Sequence, residues 1–116
     1  MVVGTIDAER TDRLFHALAD ATRRDIVERT ITGEHSVSAL ARSYPMSFAA
    51  VQKHVAVLER AELVTKERRG REQIVRSNID TIRRAALLLD HFEEVWRGRI
   101  DRIGEILAGN PEGANA

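Results

Sequence analysis

Met46-Ser47-Phe48-Ala49-Ala50-Val51-Gln52-Lys53-His54-Val55-Ala56-Val57-Leu58-Glu59-Arg60-Ala61 is the stretch whose reading decides the fold. Phe48, Val51, Val55 and Leu58 recur at steps of three, four and three, which puts them on one side of a helix. Ala49, Ala50, Gln52, Lys53 and Ala56 fall on or near the other side. Ser47 is placed to cap the start by accepting a backbone N–H. One side is greasy; the other combines short side chains, an amide and a cation. Such a face can lie against DNA without a steric barrier, so the stretch reads as a DNA-recognition helix.

The pattern upstream supplies its support. An amphipathic helix is expected from about Ile6 to Ala19, with Leu14, Phe15 and Leu18 inward. Asp20 is placed to cap a second helix from Ala21 to Thr30 or Ile31, with Ile26, Val27 and Ile31 apolar and Gly33 at its end. Ser36 or Ser38 caps a short helix, Val37 to Ser43, which Tyr44-Pro45 breaks because proline disfavours helix at the preceding residue. Short helix, turn and recognition helix make a helix-turn-helix.

Downstream the period changes from helical to alternating. Leu63 to Glu67 reads as a strand, Arg69-Gly70-Arg71-Glu72 as a turn and Gln73 to Asn78 as the returning strand. The resulting hairpin has a basic tip and must lean on the helices, since an isolated hairpin is marginal in water. Asp80 then caps a helix running to about Ala108. Ile82, Ala85, Leu89, Phe92, Trp96, Ile100, Ile103 and Leu107 follow one another at threes and fours. About 27 residues span roughly 40 Å, more than a 116-residue chain can cover by itself. The surplus apolar face implies a second copy of the chain; folding back on the first helix is the alternative.

Composition bounds the rest. The chain has 43% hydrophobic and 31% charged residues, the balance of a soluble single domain with a core. There is no cysteine, which excludes disulfides, thiolate zinc sites and cysteine nucleophiles. The opening Met-Val-Val-Gly-Thr lacks the basic segment and apolar run of a secretory signal, and no apolar run is long enough for a membrane span. A cytoplasmic location is expected. Net charge is zero, yet Arg42 to Arg76 holds eight basic and four acidic residues, a net of +4, while each flank carries five basic and seven acidic. Positive charge thus gathers on the helix-turn-helix and hairpin, as a nucleic-acid reader requires.

Four stretches, in this order, are similar to the ArsR/SmtB type of winged-helix repressor. They are Phe15 to Arg24, Val37-Ser38-Ala39-Leu40-Ala41, Ala50 to Val64, and the Arg69-Gly70-Arg71 tip. The resemblance covers roughly residues 10–100. It implies a mainly α winged helix-turn-helix with a two-stranded hairpin wing and a long C-terminal dimerisation helix. It also implies a homodimer that binds operator DNA, usually as a repressor. Residues 1–109 are then a single domain and 110–116 a disordered tail.

The sequence departs from the family pattern at three places. Glu62 stands where the relatives usually carry glycine; a left-handed glutamate there costs roughly 1 kcal/mol. Ser36 and Ser38 occupy positions where metal-sensing relatives use cysteines, and serine is a poor ligand for soft metals. Asp90 and His91 are adjacent rather than spaced for chelation, because neighbours on a helix point about 100° apart. No metal site and no cofactor are expected.

The DNA-binding set expected from this reading is Ser47, Ala49, Ala50, Gln52, Lys53 and His54 on the recognition helix, with Arg68, Arg69 and Arg71 on the wing. Gln52 can pair with adenine, and Lys53 can reach guanine or a phosphate. The wing arginines suit phosphates or a narrow minor groove. A solvated helix face and a solvated turn would carry the same residues, and His54 reads equally well as a satisfied half-buried histidine. The expected dimer interface is Leu14, Ile82, Leu89, Phe92, Trp96, Ile100 and Ile103. The expected function is a homodimeric transcriptional repressor reading a near-palindromic operator. An effector-released sensor and a winged-helix protein-interaction module are the alternatives. No catalytic constellation can be assembled from these residues.

Overall fold

The computed structural model describes residues 2–109, with side chains from residue 8 onward. The expected tail, 110–116, lies outside the described residues. Among these described residues, five helices and three strands follow in the order α1 (Val2–Leu18), α2 (Ala21–Thr32), β1 (His35–Ser36), α3 (Val37–Ala41), α4 (Phe48–Arg60), β2 (Val64–Arg69), β3 (Glu72–Ser77) and α5 (Ile79–Leu107). Among the described residues, no helix is long and apolar enough to cross a membrane.

Three of the helix starts rest on the side chains that the sequence offers. Asp20 accepts from the Arg23 N–H at 3.0 Å, Ser36 from Ala39 at 3.0 Å and Ser47 from Ala50 at 3.1 Å. Each satisfies a donor that the first helical turn leaves without a partner. At α5 the capping oxygen belongs to Asn78, which accepts from the Asp80 N–H at 3.2 Å. Asp80 itself is a first-turn acid rather than the cap. Gly33 follows α2 in an extended conformation, φ 177°, so it ends the helix without a left-handed cap.

The wing is a two-residue hairpin, Gly70-Arg71, joining β2 to β3 with Arg69 opposite Glu72. Gly70 has φ +65° while Arg71 does not share the positive φ, the pattern of a type II′ turn. The sheet has one strand more than expected. His35 and Ser36 pair antiparallel with Val75 and Ile74, giving the order β1-β3-β2. Two residues are too few for alternation to show in sequence. The pairing covers the outer edge of β3, leaving it the central strand.

The described residues fall into two compact units that part between Ala85 and Ala86. In the first, Leu14, Ala17, Ile26, Leu40, Val51, Val55, Leu58, Leu63, Val64 and Val75 form the core. Two expected core residues sit elsewhere. Ile31 and Phe48 are 55% and 47% exposed. On α2 the inward position is taken instead by Thr30, whose hydroxyl lies 2.8 Å from that of Ser77 on β3, with the carbonyls of Ile26 and Val27 accepting from the pair. Leu14 also differs from its expected role. It is 2% exposed and packs into the chain's own core, leaving no surface for a second copy.

The second unit contains the later turns of α5. Leu89, Phe92, Trp96, Ile100 and Ile103 are 42–57% exposed there. Ile82, earlier on the same helix, packs partly against the core of the first unit.

Candidate nucleic-acid interface

From Val51 onward α4 is amphipathic in the way its spacing predicts. Val51, Val55 and Leu58 are at most 1% exposed. Ser47, Ala49, Gln52 and Lys53 are exposed, and Ala50, His54 and Ala56 are half-buried at the margins. Lys53 and Gln52 have no partner among the described residues. The outward face is therefore unclaimed by the described fold, while the inward face packs into the core.

His54 is claimed. Its Nδ1 lies 3.2 Å from Arg23 Nη1. A guanidinium only donates, so Nδ1 accepts and the ring proton sits on Nε2. The same Arg23 donates from Nε to the Ala17 carbonyl at 2.8 Å and from Nη2 to the His16 carbonyl at 3.2 Å. Arg24 Nη1 donates to the Leu18 carbonyl at 2.7 Å. These two cations close the C-terminal end of α1, where carbonyls have no helical partner and the dipole is negative.

The turn between α3 and α4 is clamped by Tyr44. Its hydroxyl donates to Asp25 Oδ2 at 2.6 Å, and the Arg29 guanidinium stands 5.4 Å from its ring centre while also pairing with Asp25 at 2.7 Å. Burial, then the bond to Asp25, pushes the Tyr44 phenol up to about 12. The Arg29 and Tyr44 hydrogen bonds hold the Asp25 carboxyl below its usual range.

The exit of α4 carries the sharpest local departure. Glu62 has φ +64°, the only positive φ at a non-glycine among the described residues. The Glu62 N–H donates to the Glu59 carbonyl at 2.9 Å and the Leu63 N–H to the Leu58 carbonyl at 3.0 Å. This is the Schellman arrangement, which ordinarily takes glycine at that position. Leu58 and Leu63, both fully buried, supply its apolar contact. Arg10 grips the Glu62 carboxylate with both guanidinium arms, Nε at 3.1 Å and Nη2 at 3.0 Å. That grip lowers the Glu62 pKa. Nothing local in sequence announces it, since the two residues are 52 apart.

The three wing arginines do not form one cluster. Cross-strand register places Arg68 opposite Gln73 on the face that holds Lys66, Val64 and Val75, whereas Arg69 lies on the other face with Glu67. Arg69 is bound to Glu34 at 2.9 Å and to Glu67 at 3.1 Å, and Arg76 joins the same two acids at 3.3 and 2.9 Å. Arg69 is thus already neutralised by its own chain. Arg68 and Arg71 are exposed and without a partner among the described residues. Between α4 and the wing runs a groove of about 230 Å³, flanked by Phe48 and Gln52 on one side and Lys66, Arg71 and Gln73 on the other. Arg13, His16 and Arg60 line a smaller cleft of about 90 Å³ where α1 meets the end of α4. Sequence reading missed this second basic patch because it depends on how two distant helices approach.

Ser36 is used as the α3 cap, and Asp90 and His91 are exposed neighbours on α5. Among the described residues, no group of three or more metal-ligating side chains comes together.

Comparison with known proteins agrees with this architecture. A helix-turn-helix domain family matches residues 18–67. The chain is 43% identical over 96 residues to the HTH-type transcriptional regulator Rv2034 of Mycobacterium tuberculosis, covering 83% of this chain and 87% of that protein. An ArsR-like transcriptional regulator from Rhodococcus sp. RHA1 superposes with a TM-score of 0.81 at 30% identity, over 94% of this chain and 98% of that one. A possible ArsR-family regulator of Mycobacterium bovis, Mb0332, described as a homodimeric winged helix-turn-helix DNA-binding domain, gives a TM-score of 0.65 at 26% identity. It covers 78% of this chain and 84% of that one. Fold, reading helix and relatives converge: the chain belongs to the ArsR family of winged helix-turn-helix transcriptional regulators.

Proposed function

We propose that this regulator is a cytoplasmic homodimeric repressor that binds a near-palindromic operator. The observation that carries the reading is the outer face of α4, with Gln52 and Lys53 exposed and, like Arg68 and Arg71 of the wing, without partners among the described residues. Each protomer would set Ser47, Ala49, Ala50, Gln52 and Lys53 into the major groove, with Arg68 and Arg71 on the flanking backbone. Pairing of two chains through Leu89, Phe92, Trp96, Ile100 and Ile103 would bury the exposed face of α5 and fix two half-sites about one turn (~34 Å) apart. The homodimeric description of the Mb0332 domain supports the pairing.

Selection of bound duplexes from random DNA, followed by fluorescence anisotropy on the chain's own promoter region, tests the reading. An inverted repeat bound by a dimer is the expected result. A folded dimer that prefers no sequence at moderate salt would sink it. Lys53→Ala should weaken specific binding, because it removes a cation from the centre of the reading face.

A further inference from the structure

Phe48 has the spacing of a core residue, three before Val51, yet its ring is 47% exposed. It is the first residue of α4, directly after the Ser47 cap. In helix-turn-helix proteins the N-terminal residues of the recognition helix are those that meet base edges. Gln52 lies one turn further on the same side of the helix, so ring and amide are stacked neighbours. Both face the groove toward Lys66, Arg71 and Gln73 on the wing. At about 230 Å³ that groove is smaller than the ~300 Å³ at which small-molecule sites begin. It is also open along one side; Glu72 lines it and Lys66 is already paired with Glu59 at 3.3 Å, so Arg71, without a partner among the described residues, is the free cation at its rim that suits the edge of a polyanion.

We infer that Phe48 is a specificity-determining residue that reads the 5-methyl group of a thymine in the operator. This rests on the operator-binding reading above. The chemistry is apolar contact. In the major groove thymine alone offers a methyl, and a ring poised at the helix start excludes water from it. Four residues of helix separate Phe48 from Gln52 by about 6 Å, close to two base-pair rises of 3.4 Å. The thymine therefore lies within one or two base pairs of the adenine that Gln52 pairs.

The test replaces each thymine of the selected half-site, one at a time, by deoxyuridine, which differs only by that methyl. With the wild-type chain, one position should weaken binding about fourfold, the worth of one buried methyl-sized group. Phe48→Ala should bind the parent operator more weakly and show no penalty at that position. Phe48→Leu, which keeps an apolar contact, should retain part of the penalty and serves if the alanine variant folds poorly. Equal sensitivity in wild type and Phe48→Ala overturns the inference, as does indifference to every thymine methyl. A Phe48→Ala chain with a lowered melting temperature and an unchanged uracil penalty would show the ring to be packing only. Failure to bind any duplex specifically would instead remove the operator reading, and this inference with it.

Discussion

At the scale of single residues, Glu62 and Tyr44 show how much of the reading head's placement is set outside it. Glu62 holds a left-handed backbone that costs roughly 1 kcal/mol or more for a side chain with a Cβ. Arg10 offsets part of that, an exposed pair of this kind being worth up to about 1 kcal/mol. Glu62→Gly relieves the strain and loses the pair, so its stability should stay within about 1 kcal/mol of the parent. Glu62→Ala loses the pair and keeps the strain, so urea titration should place it about 1 kcal/mol below the glycine variant. Tyr44 sets an alkaline limit. Its folded value near 12 exceeds the ordinary 10.0, so its contribution is whole below pH 10 and is lost as pH climbs toward 12. Tyr44→Phe should flatten the stability profile in that window. At the acid end Asp20, Asp25, Glu34 and Glu62 are all lowered in the folded chain. Their contributions are present above the unfolded values of ~4 and disappear as pH falls through the folded ones. Denaturant midpoints should therefore drop progressively below about pH 4.

At the scale of elements, the wing divides its cations between two faces, and binding should reflect that division. Arg68→Ala and Arg71→Ala should each weaken DNA binding and reduce the slope of log K against log salt by about two, one for each protomer of the proposed dimer. Arg69→Ala should change that slope less, because Glu34 and Glu67 already neutralise it. Equal slopes for all three variants would refute the division. The elements themselves were largely legible in the sequence. The spacing of Val51, Val55 and Leu58 marks the buried face of α4, Ser47 marks its start, and Gly70 marks the tip of the hairpin. Illegible features were those fixed by approach across the fold. Phe48 and Ile31 continue apolar lines past the point where anything covers them. Leu14 reads as an interface residue on its helix but belongs to the same buried core as Ile26 and Leu58. Cap residues two apart, Asn78 and Asp80, are equivalent to a sequence reading. The split of Arg68 from Arg69 follows from strand alternation and could have been read, once both were assigned to β2.

At the scale of the whole molecule, the proposed pairing of two chains rests on the apolar face of α5, which is exposed among the described residues. Phe92→Asp, placing a charge in that face, should leave the helix-turn-helix folded while shifting sedimentation equilibrium toward monomer. Operator affinity should fall by more than tenfold, since each half-site would then be read alone. Unchanged dimerisation would locate the partner surface elsewhere. The same helix carries Trp96, the sole tryptophan, 55% exposed with the Arg99 guanidinium 5.7 Å from its ring centre. An indole in that setting emits as a hydrated fluorophore, and its light is unmixed with that of any other. In the proposed dimer the chain carries its own optical gauge of dissociation: dilution should move its emission to longer wavelength even while the helix-turn-helix stays folded.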